Sequence, residues 1–373
     1  MTASAATSTR PASRPAALPP TLGRAPATAS AVHLKPAAPP SLLRGAAYLR
    51  DLTSAVASAQ RRVRLTALTV SRDALTSDLI DALIDAAARG VDVRVSADVF
   101  TYTAGSASMV GGAMPSRRRT SAAALDRDLR GAGGTMRWLG RETGLPFRGR
   151  THTKLTVVDD VAWSFGGVNM DDPGVTNVDY MLRVEDAALA DSLSSLHDAI
   201  AAEAPRERMP AQVLDHAVGR VLIDGGRPGE SAIYAAALAW ARRAESVLHV
   251  SQYCPTGPLG REVARRADGL WFNRPRQAAF ANATLIASSM ATTGHRTRYR
   301  REPYLHAKAL VFTMPDGERV AITGSHNFVA AGVRLGTREI ALETRDPHVI
   351  DQIERFHTEH VRAGARAPHT HGV

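Results

Sequence analysis

Apolar and polar positions along the chain follow an order of helices and strands that occurs twice. In the first half, a helical pattern over Tyr48–Gln60 is followed by an apolar, strand-like run near Val63–Val70. A second helical pattern covers Asp78–Arg89, and Gly90 is placed to end that helix. Valines at every second position of Val91–Val95 then predict a half-buried strand.

The second half of the chain repeats this order. A helical pattern over Ser231–Ala244 leads to a strand pattern over Val247–Tyr253. A further helix is predicted over Leu259–Ala267, before the short apolar run Leu270–Phe272. A repeated order of elements indicates two related structural units within one chain.

Each half then ends in a strand hairpin followed by a helix, near Ala187–Glu203 in the first half and near His348–Arg362 in the second. Helices interleaved with strands predict an α/β fold, in which two pseudo-symmetric halves each contain a mixed sheet flanked by helices. We assign the N-terminal half to residues 41–208 and the C-terminal half to residues 209–365.

Three segments fall outside the repeat. Residues 1–40 are rich in Ala, Pro, Ser and Thr, and we expect them to be a disordered tail. Residues 366–373 are expected to form a flexible tail at the other end. The Gly/Ser/Met-rich stretch Thr101–Thr120, which contains three consecutive arginines, fits either a basic lid over an anionic substrate or a surface insertion.

The hairpin of the first half carries a group of polar residues with fixed spacing. In order along the chain they are His152, Lys154, Asp159, Gly166, Gly167 and Asn169. Alternation along the strand places His152 and Lys154 on one face, while Asp159 belongs to the turn and has a structural role there. An imidazole, an ammonium and a carboxamide gathered around one patch are groups that can attack and hold a phosphate.

The second half contains a weaker copy of the same spacing. Its members are His306, Lys308, Gly324, Ser325 and Asn327. The copy departs from the first at the turn, because Thr313 stands where an aspartate is expected and Asp316 is displaced into a longer loop. The departure affects the geometry of the hairpin more than the chemistry, since the histidine, lysine and asparagine are all present.

Composition supports this interpretation of the two copies. Lysine occurs only at Lys35, Lys154 and Lys308, so both lysines of the predicted folded region stand two positions after a histidine. The net charge of +10 favours an anionic partner, either acidic lipid headgroups or nucleic acid.

Cys254 is the single cysteine, which excludes an internal disulfide framework and a cysteine-based metal site. The chain has no run of about 18 apolar residues, no secretory apolar core and no prominent amphipathic anchor, so we expect a cytoplasmic protein.

The first group of residues resembles the HxKx4Dx6GGxN signature of the phospholipase D superfamily at every specified position. The second is similar to its usual partner, HxK followed by GSxN. The resemblance covers roughly residues 42–365 and is strongest to bacterial phospholipases D and cardiolipin synthases. It implies one active site at the interface of the two halves, a phospho-histidine intermediate, and no metal ion or cofactor.

The resemblance also implies roles for individual residues. His152 would be the nucleophile and His306 the general acid and base, although the sequence leaves that order open. Acidic partners are expected at positions that match Asp179 and Glu339. Lysines and asparagines would hold the phosphoryl oxygens at Lys154, Asn169, Lys308 and Asn327, and motif-structural roles fall to Asp159, Gly166, Gly167, Gly324 and Ser325.

The expected activity is that of a phosphodiesterase or phosphatidyltransferase acting on phospholipids, and two alternatives stay open. One is a nuclease, since the same chemistry cleaves DNA or RNA, although the low aromatic content disfavours base stacking. The other is a binding protein that uses a decayed site to hold anionic lipid or nucleic acid. The sequence leaves open the substrate, the acceptor, peripheral contact with an anionic membrane and the oligomeric state. A monomer would suffice, because a duplicated chain can complete its own site.

Overall fold

The computed structural model describes residues 38–99, 102, 117–140, 150–202 and 208–362. Both predicted tails lie outside these residues, apart from positions 38–40. The Gly/Ser/Met-rich stretch also lies largely outside them, so the lid predicted there is outside the described residues. At its end, Arg117 begins a helix.

The first half contains seven strands and five helices among the described residues, with a sheet that is parallel on one side and antiparallel on the other. Its strands are β1 (Ser41–Arg44), β2 (Arg62–Ala67), β3 (Asp92–Asp98), β4 (Thr135–Leu139), β5 (Leu155–Val158), β6 (Val161–Ser164) and β7 (Tyr180–Glu185). Its helices are α1 (Gly45–Ser58), α2 (Ser77–Ala88), α3 (Arg117–Gly131), α4 (Asp172–Thr176) and α5 (Ala187–Ala202). The strand order is β1-β7-β6-β5-β2-β3-β4, in which β2, β3 and β4 are parallel.

The second half repeats this architecture. Its strands are β8 (Gln212–His216), β9 (Gly219–Gly225), β10 (Ser246–Val250), β11 (Leu270–Trp271), β12 (Ala309–Thr313), β13 (Arg319–Gly324) and β14 (Arg338–Thr344). Its helices are α6 (Ala232–Arg243), α7 (Gly257–Arg266), α8 (Phe280–Thr293), α9 (Ala330–Leu335) and α10 (Pro347–Phe356), with a 3₁₀ turn at Pro275–Gln277 and a π-helical segment at His357–Arg362. The strand order is β11-β10-β12-β13-β14-β9-β8.

The predicted α/β fold with two related halves, each a mixed sheet flanked by helices, is confirmed. The central hairpin is β5–β6 in the first half and β12–β13 in the second, and each is antiparallel. The parallel pair β2–β3 corresponds to β10–β11, with α2 and α7 as the crossover helices. Helix α2 buries Leu79, Ile80 and Leu83 and ends before Gly90, whose φ of 90° suits a glycine.

Among the described residues the hydrophobic core forms three clusters, and one of them joins the two halves. That cluster contains Leu155 and Val157 of β5 together with Ala309 and Val311 of β12. The other two clusters lie under the outer helices of each half, beneath α1 and α2 in the first and beneath α6 and α7 in the second. The two sheets therefore share apolar side chains directly beneath the strands that carry the predicted site. Among the described residues, no helix is both long and apolar enough to cross a bilayer.

Candidate functional site

Backbone pairing between the halves positions the first histidine. Thr151 forms a parallel bridge with Arg338, at the start of β14. The Arg338 N–H donates to the carbonyl oxygen of Arg150 at 2.8 Å, and the His152 N–H donates to the carbonyl oxygen of Arg338 at 2.9 Å. This register places Glu339, the next residue of β14, beside the imidazole of His152.

The same backbone pairing occurs at the corresponding positions around the second histidine. Val178 bridges Leu305, and its N–H donates to the carbonyl oxygen of Tyr304 at 2.9 Å. The His306 N–H in turn donates to the carbonyl oxygen of Val178 at 3.0 Å. Asp179 therefore lies beside the second histidine.

Each histidine takes its carboxylate from the opposite half. His152 Nδ1 lies 2.9 Å from Glu339 Oε2, and His306 Nδ1 lies 2.7 Å from Asp179 Oδ2. A carboxylate at Nδ1 holds the proton there and leaves Nε2 as the reactive nitrogen. The two ring centroids are 6.4 Å apart, a separation that leaves room for one phosphoryl group between the rings.

The two carboxylates are themselves held by different donors. Asp179 Oδ1 accepts from the backbone N–H groups of Gly167 at 3.2 Å and Tyr180 at 2.8 Å. Glu339 Oε2 accepts instead from the hydroxyl of Ser325 at 2.5 Å. Burial alone would raise the pKa of Glu339, but the charge and hydrogen bond of His152 lower that pKa to about 2. Both carboxyl groups are therefore ionised at neutral pH, because the pKa of Asp179 is also lowered, by His306, against the effect of burial.

Burial sets the protonation state of the two histidines. It lowers the pKa of His152 below its ordinary value and lowers the pKa of His306 to about 3. Both imidazoles are neutral in the free protein at neutral pH. A neutral imidazole with its Nδ1 proton held by a carboxylate has a free Nε2 lone pair, which is the form that attacks phosphorus.

The two lysines are buried beside the histidines that precede them. Lys154 Nζ donates to the carbonyl oxygen of His152 at 3.0 Å, and Lys308 Nζ donates to that of His306. Burial lowers the pKa of Lys154 to about 8 and that of Lys308 to about 7. Each ammonium has further N–H donors available for anionic oxygens, and an anion in the site would raise both pKa values.

The two asparagines of the motifs are buried with unused hydrogen-bonding capacity. Within the described residues, neither Asn169 Oδ1 nor Asn327 Oδ1 has a hydrogen-bond partner. A buried amide without a partner is costly, so such groups are rare in folded proteins. An amide oxygen only accepts hydrogen bonds, so a ligand with an O–H or N–H group, such as water or an alcohol, would complete the bonding of these two atoms, while the Nδ2 groups can donate to anionic oxygens.

The glycines of the motifs stand where the chain has no space for a side chain. A Cβ at Gly166 would lie 1.8 Å from the carbonyl oxygen of Tyr180, and one at Gly324 would lie 2.2 Å from that of Ile340. A Cβ at Gly167 would lie 2.4 Å from Asp179 Oδ2. The glycines therefore let the end of each hairpin approach the strand that carries the carboxylate.

The turns of the two hairpins differ as the sequence indicates. Asp159 has a positive φ of 51° and accepts backbone N–H bonds from three residues at the start of β2, at 2.9, 2.9 and 3.1 Å. Asp316 is exposed and accepts only a local N–H bond, from Glu318 at 3.0 Å. Asp159 therefore connects its turn to the N-terminal end of β2, whereas Asp316 accepts a hydrogen bond from within its own turn.

A polar wall beside His306 was not predicted from the sequence. The ring of Tyr304 lies 6.4 Å from that of His306, and its hydroxyl accepts from Gln252 Nε2 at 3.0 Å. The same Nε2 donates to the hydroxyl of Tyr253 at 2.9 Å, which donates to Asn282 Oδ1 at 2.9 Å. These residues come from separate loops and α8, so no spacing in the sequence marks them.

Within the described residues, no group of three or more histidine, cysteine, aspartate or glutamate side chains is placed to hold a metal ion.

Comparisons with known proteins agree with this fold. Residues 52–200 match the family described as cardiolipin synthase, PLD-like domain. The structure of phosphatidylserine synthase from Haemophilus influenzae Rd KW20 is similar with a TM-score of 0.61 and 13% sequence identity, over 86% of this chain and 85% of that one. Polyphosphate kinase from Porphyromonas gingivalis is similar with a TM-score of 0.54 and 13% identity, over 85% of this chain and 46% of that one. A search of curated protein sequences finds no match.

At this level of identity the structural likeness shows the fold, while the family match covers the half that carries the complete signature. The structural likeness covers most of the chain and overlaps the residues of the family match, and the two comparisons agree with each other. Residues 52–200 are therefore similar to the PLD-like domain family, and the fold over most of the chain is similar to that of phosphatidylserine synthase.

Proposed function

We propose that this protein is a metal-independent phosphodiesterase or phosphatidyltransferase that acts on phospholipids through a phospho-histidine intermediate. The similarity of residues 52–200 to the PLD-like domain family supports phosphodiester chemistry in general. The observation that carries the proposal is the pair of crosswise histidine–carboxylate contacts, with the centroids of the two imidazoles 6.4 Å apart and their planes at 71°. That geometry provides one group to attack phosphorus and a second to serve the leaving oxygen.

In the first step, His152 Nε2 attacks phosphorus, and the bond between phosphorus and the headgroup oxygen breaks. His306 donates a proton to the departing alkoxide. The negative charge of the bound diester raises the pKa of His306, which allows this histidine to hold that proton although burial lowers its pKa in the free protein. Lys154, Lys308 and the two motif asparagines stabilise the charge on the non-bridging oxygens.

In the second step, His306 removes a proton from the acceptor, which is water or an alcohol. The acceptor oxygen attacks phosphorus, and the bond to His152 breaks. Hydrolysis gives a phosphatidic acid, and transfer to an alcohol gives a new phospholipid. The carboxylates of Glu339 and Asp179 hold the two imidazoles in the required tautomer and orientation through both steps.

A phospholipid substrate is favoured over nucleic acid by two observations. The matching family is described as cardiolipin synthase, and the similar fold over most of the chain is that of a phosphatidylserine synthase. Aromatic residues make up only 5% of the chain, which leaves few side chains for base stacking.

The decisive experiment is mass spectrometry of the purified protein after incubation with mixed phospholipids and, separately, with single-stranded DNA, in EDTA. We expect headgroup release and a phosphatidyl adduct on the peptide that contains His152. The variant His152→Ala should form no adduct and show no turnover, whereas the matched control His348→Ala, at an exposed position, should behave as wild type.

The other outcomes distinguish the alternatives. Turnover by His152→Ala would contradict the mechanism. Cleavage of DNA without reaction of any phospholipid would identify a nuclease. Tight binding of lipid or DNA with no turnover of either would identify a binding protein with a decayed site.

A further inference from the structure

Helix α8 has an unusual surface for a helix that lies at the outside of a protein. Its sequence, Phe280–Thr293, contains no charged residue, and Ile286 is its one buried residue. Phe280 is 88% exposed and Leu285 is 37% exposed. An exposed surface that is continuous and apolar marks an interaction site more often than scattered apolar residues do.

Two threonine hydroxyls on α8 are already hydrogen-bonded to carbonyl oxygens of the same helix, which makes its surface less polar than its sequence implies. Thr284 Oγ1 donates to the carbonyl oxygen of Phe280 at 2.9 Å, and Thr292 Oγ1 donates to that of Ser288 at 2.9 Å. Hydroxyls bonded to their own helix have no donor left unsatisfied when water is removed. Two of the three exposed hydroxyls of α8, those of Thr284 and Thr292 but not that of Ser288, therefore add little to the cost of entering an apolar medium. The helix shows no amphipathic pattern in the sequence because neither of its sides carries charge.

A basic strip follows α8 directly. Arg296, Arg298 and Arg300 are exposed, while Thr297 and Tyr299 between them are buried. The alternation is produced by backbone pairing with the sheet edge, where the Arg298 N–H donates to the carbonyl oxygen of Leu270 at 2.7 Å. Within the part of the chain that the structure describes, none of the three arginines has an ion-pair partner. The strip therefore presents three guanidinium groups on one outward face.

The N-terminal end of α8 is joined to the catalytic site by hydrogen bonds. Asn282 accepts from Tyr253, which is linked through Gln252 to Tyr304, whose ring faces that of His306. Phe280 is two positions from Asn282. A chain of hydrogen-bonded side chains thus connects α8 with the residues around His306.

We propose that α8 and the basic strip form a docking surface for an anionic phospholipid bilayer, and this proposal rests on the proposed lipid chemistry. Phe280 and Leu285 enter the boundary between headgroups and acyl chains, while Arg296, Arg298 and Arg300 contact anionic headgroups. A nucleic acid would satisfy the arginines but would leave the uncharged face of α8 against phosphate and water. A bilayer satisfies both parts of the surface and delivers its lipids beside His306.

The test is flotation of the protein with vesicles of phosphatidylcholine alone and of phosphatidylcholine mixed with phosphatidylglycerol. The double variant Phe280→Ser/Leu285→Ser should bind both kinds of vesicle roughly ten-fold more weakly or worse. The triple variant Arg296→Gln/Arg298→Gln/Arg300→Gln should lose the preference for anionic vesicles, at roughly five-fold per arginine.

Matched controls remove exposed apolar residues and arginines elsewhere. Leu75 is 45% exposed and Val213 is 46% exposed, so Leu75→Ser/Val213→Ser should bind vesicles as wild type does. The exposed residues Arg50, Arg127 and Arg137 serve as the control for charge, through the triple change to Gln. Circular dichroism establishes that each variant is folded.

Equal binding by the α8 variants and their controls would overturn the proposal, as would a wild type that binds no vesicle. Binding of single-stranded DNA that is lost in the arginine variant but not in the Phe280/Leu285 variant, without vesicle binding, would assign the strip to nucleic acid instead. A change in sedimentation of the Phe280/Leu285 variant, again without vesicle binding, would assign α8 to contact with a second copy of the chain. Flotation of His152→Ala separates docking from catalysis, because this variant should bind vesicles normally even if no lipid is turned over.

Discussion

The two halves of the molecule share six corresponding strands in the same order, apart from the edge strands β4 and β8, but hold their carboxylates in different ways. In the first half, the backbone N–H of Gly167 donates to Asp179 at 3.2 Å. In the second half, the hydroxyl of Ser325 donates to the longer side chain of Glu339 at 2.5 Å. Each carboxylate then contacts the histidine of the opposite half.

This difference shows that the site is one unit built from two unequal contributions. Asp179 lies so close to Gly167 that a Cβ at that position would be 2.4 Å from its Oδ2. At the position equivalent to Gly167, the second half has Ser325. There is space for this side chain beside Glu339, and its hydroxyl donates a hydrogen bond to the carboxylate that contacts His152. Because the carboxylates are exchanged between halves, neither half holds a complete histidine–carboxylate pair.

The largest effect is expected from neutralising the two carboxylates separately. Asp179→Asn and Glu339→Gln should each lower kcat/KM by roughly a thousand-fold or more, because the imidazoles lose the group that holds their tautomer. With a nitrophenyl phosphodiester, whose leaving group needs no proton, Asp179→Asn should recover much of its activity because its partner His306 is the proposed acid. Glu339→Gln should be impaired on both substrates, since it supports the proposed nucleophile, His152.

Measurement of kcat/KM on the lipid and the nitrophenyl diester for both variants tests this division of roles. Recovery by Glu339→Gln instead of Asp179→Asn would reverse the assignment of nucleophile and acid. Equal loss on both substrates by both variants would contradict any division between the two pairs.

Substitutions at Gly167 and Ser325 should cause smaller losses of kcat/KM, and the loss should be larger at Gly167. Gly167→Ala introduces a Cβ 2.4 Å from Asp179 Oδ2 and 2.9 Å from Lys308 Nζ, so these groups must shift. A displacement of this size should reduce kcat/KM by about a hundred-fold. Ser325→Ala removes one donor to Glu339 and should cost about ten-fold. Steady-state kinetics and thermal melts of both variants test the difference, and a milder effect at Gly167 than at Ser325 would contradict the structure.

The lysines predict an alkaline limit to activity. Burial lowers the pKa of Lys308 to about 7 and that of Lys154 to about 8, so their charge is lost as the pH rises through this range. In the free enzyme kcat/KM should fall roughly ten-fold per pH unit between the two pKa values and roughly a hundred-fold per unit above both, because both ammonium charges are then lost. No acid limb is expected near pH 6.5, because the pKa values of both histidines are lowered by burial and the imidazoles stay neutral there. A pH profile of kcat/KM that stays level well above pH 8 would contradict this account.

The smallest effect concerns stability and the two hairpin turns. Asp159 accepts three backbone N–H bonds, whereas Asp316 is exposed and accepts one. Asp159→Asn should lower the free energy of unfolding by about 1–2 kcal/mol, and Asp316→Asn by less than about 0.5 kcal/mol. Asparagine tolerates the positive φ at this turn, so the substitution changes charge rather than backbone conformation.

Urea unfolding at several pH values measures both variants. The hydrogen bonds lower the pKa of Asp159 against the effect of burial, so its contribution is complete above about pH 4, the value for the unfolded chain. The contribution is lost as the pH falls further, and the difference between wild type and Asp159→Asn should narrow with it. Equal stability losses from the two turns at neutral pH would contradict the contrast between them.

Much of the fold and site was predictable because the relevant patterns are local. The helix predicted over Asp78–Arg89 is observed as Ser77–Ala88, since apolar spacing and a terminal glycine are properties of one segment. The signature residues lie within single hairpins, so their spacing also shows in the sequence. Strand β1 was not predicted, because its four residues pair with β7 far along the chain. Helix α8 was not predicted either, because its surface lacks the contrast between apolar and polar sides.

The sequence by itself determined which chemical groups are available: two histidines, two lysines, two asparagines and two acidic residues at recognisable positions. The tertiary structure alone decided which carboxylate serves which histidine. His152 and Glu339 are 187 positions apart, and His306 and Asp179 are 127 apart. Both contacts follow from the register of short backbone bridges between the halves. Periodicity specifies which face of a strand a residue occupies, but it carries no information about the register between distant segments.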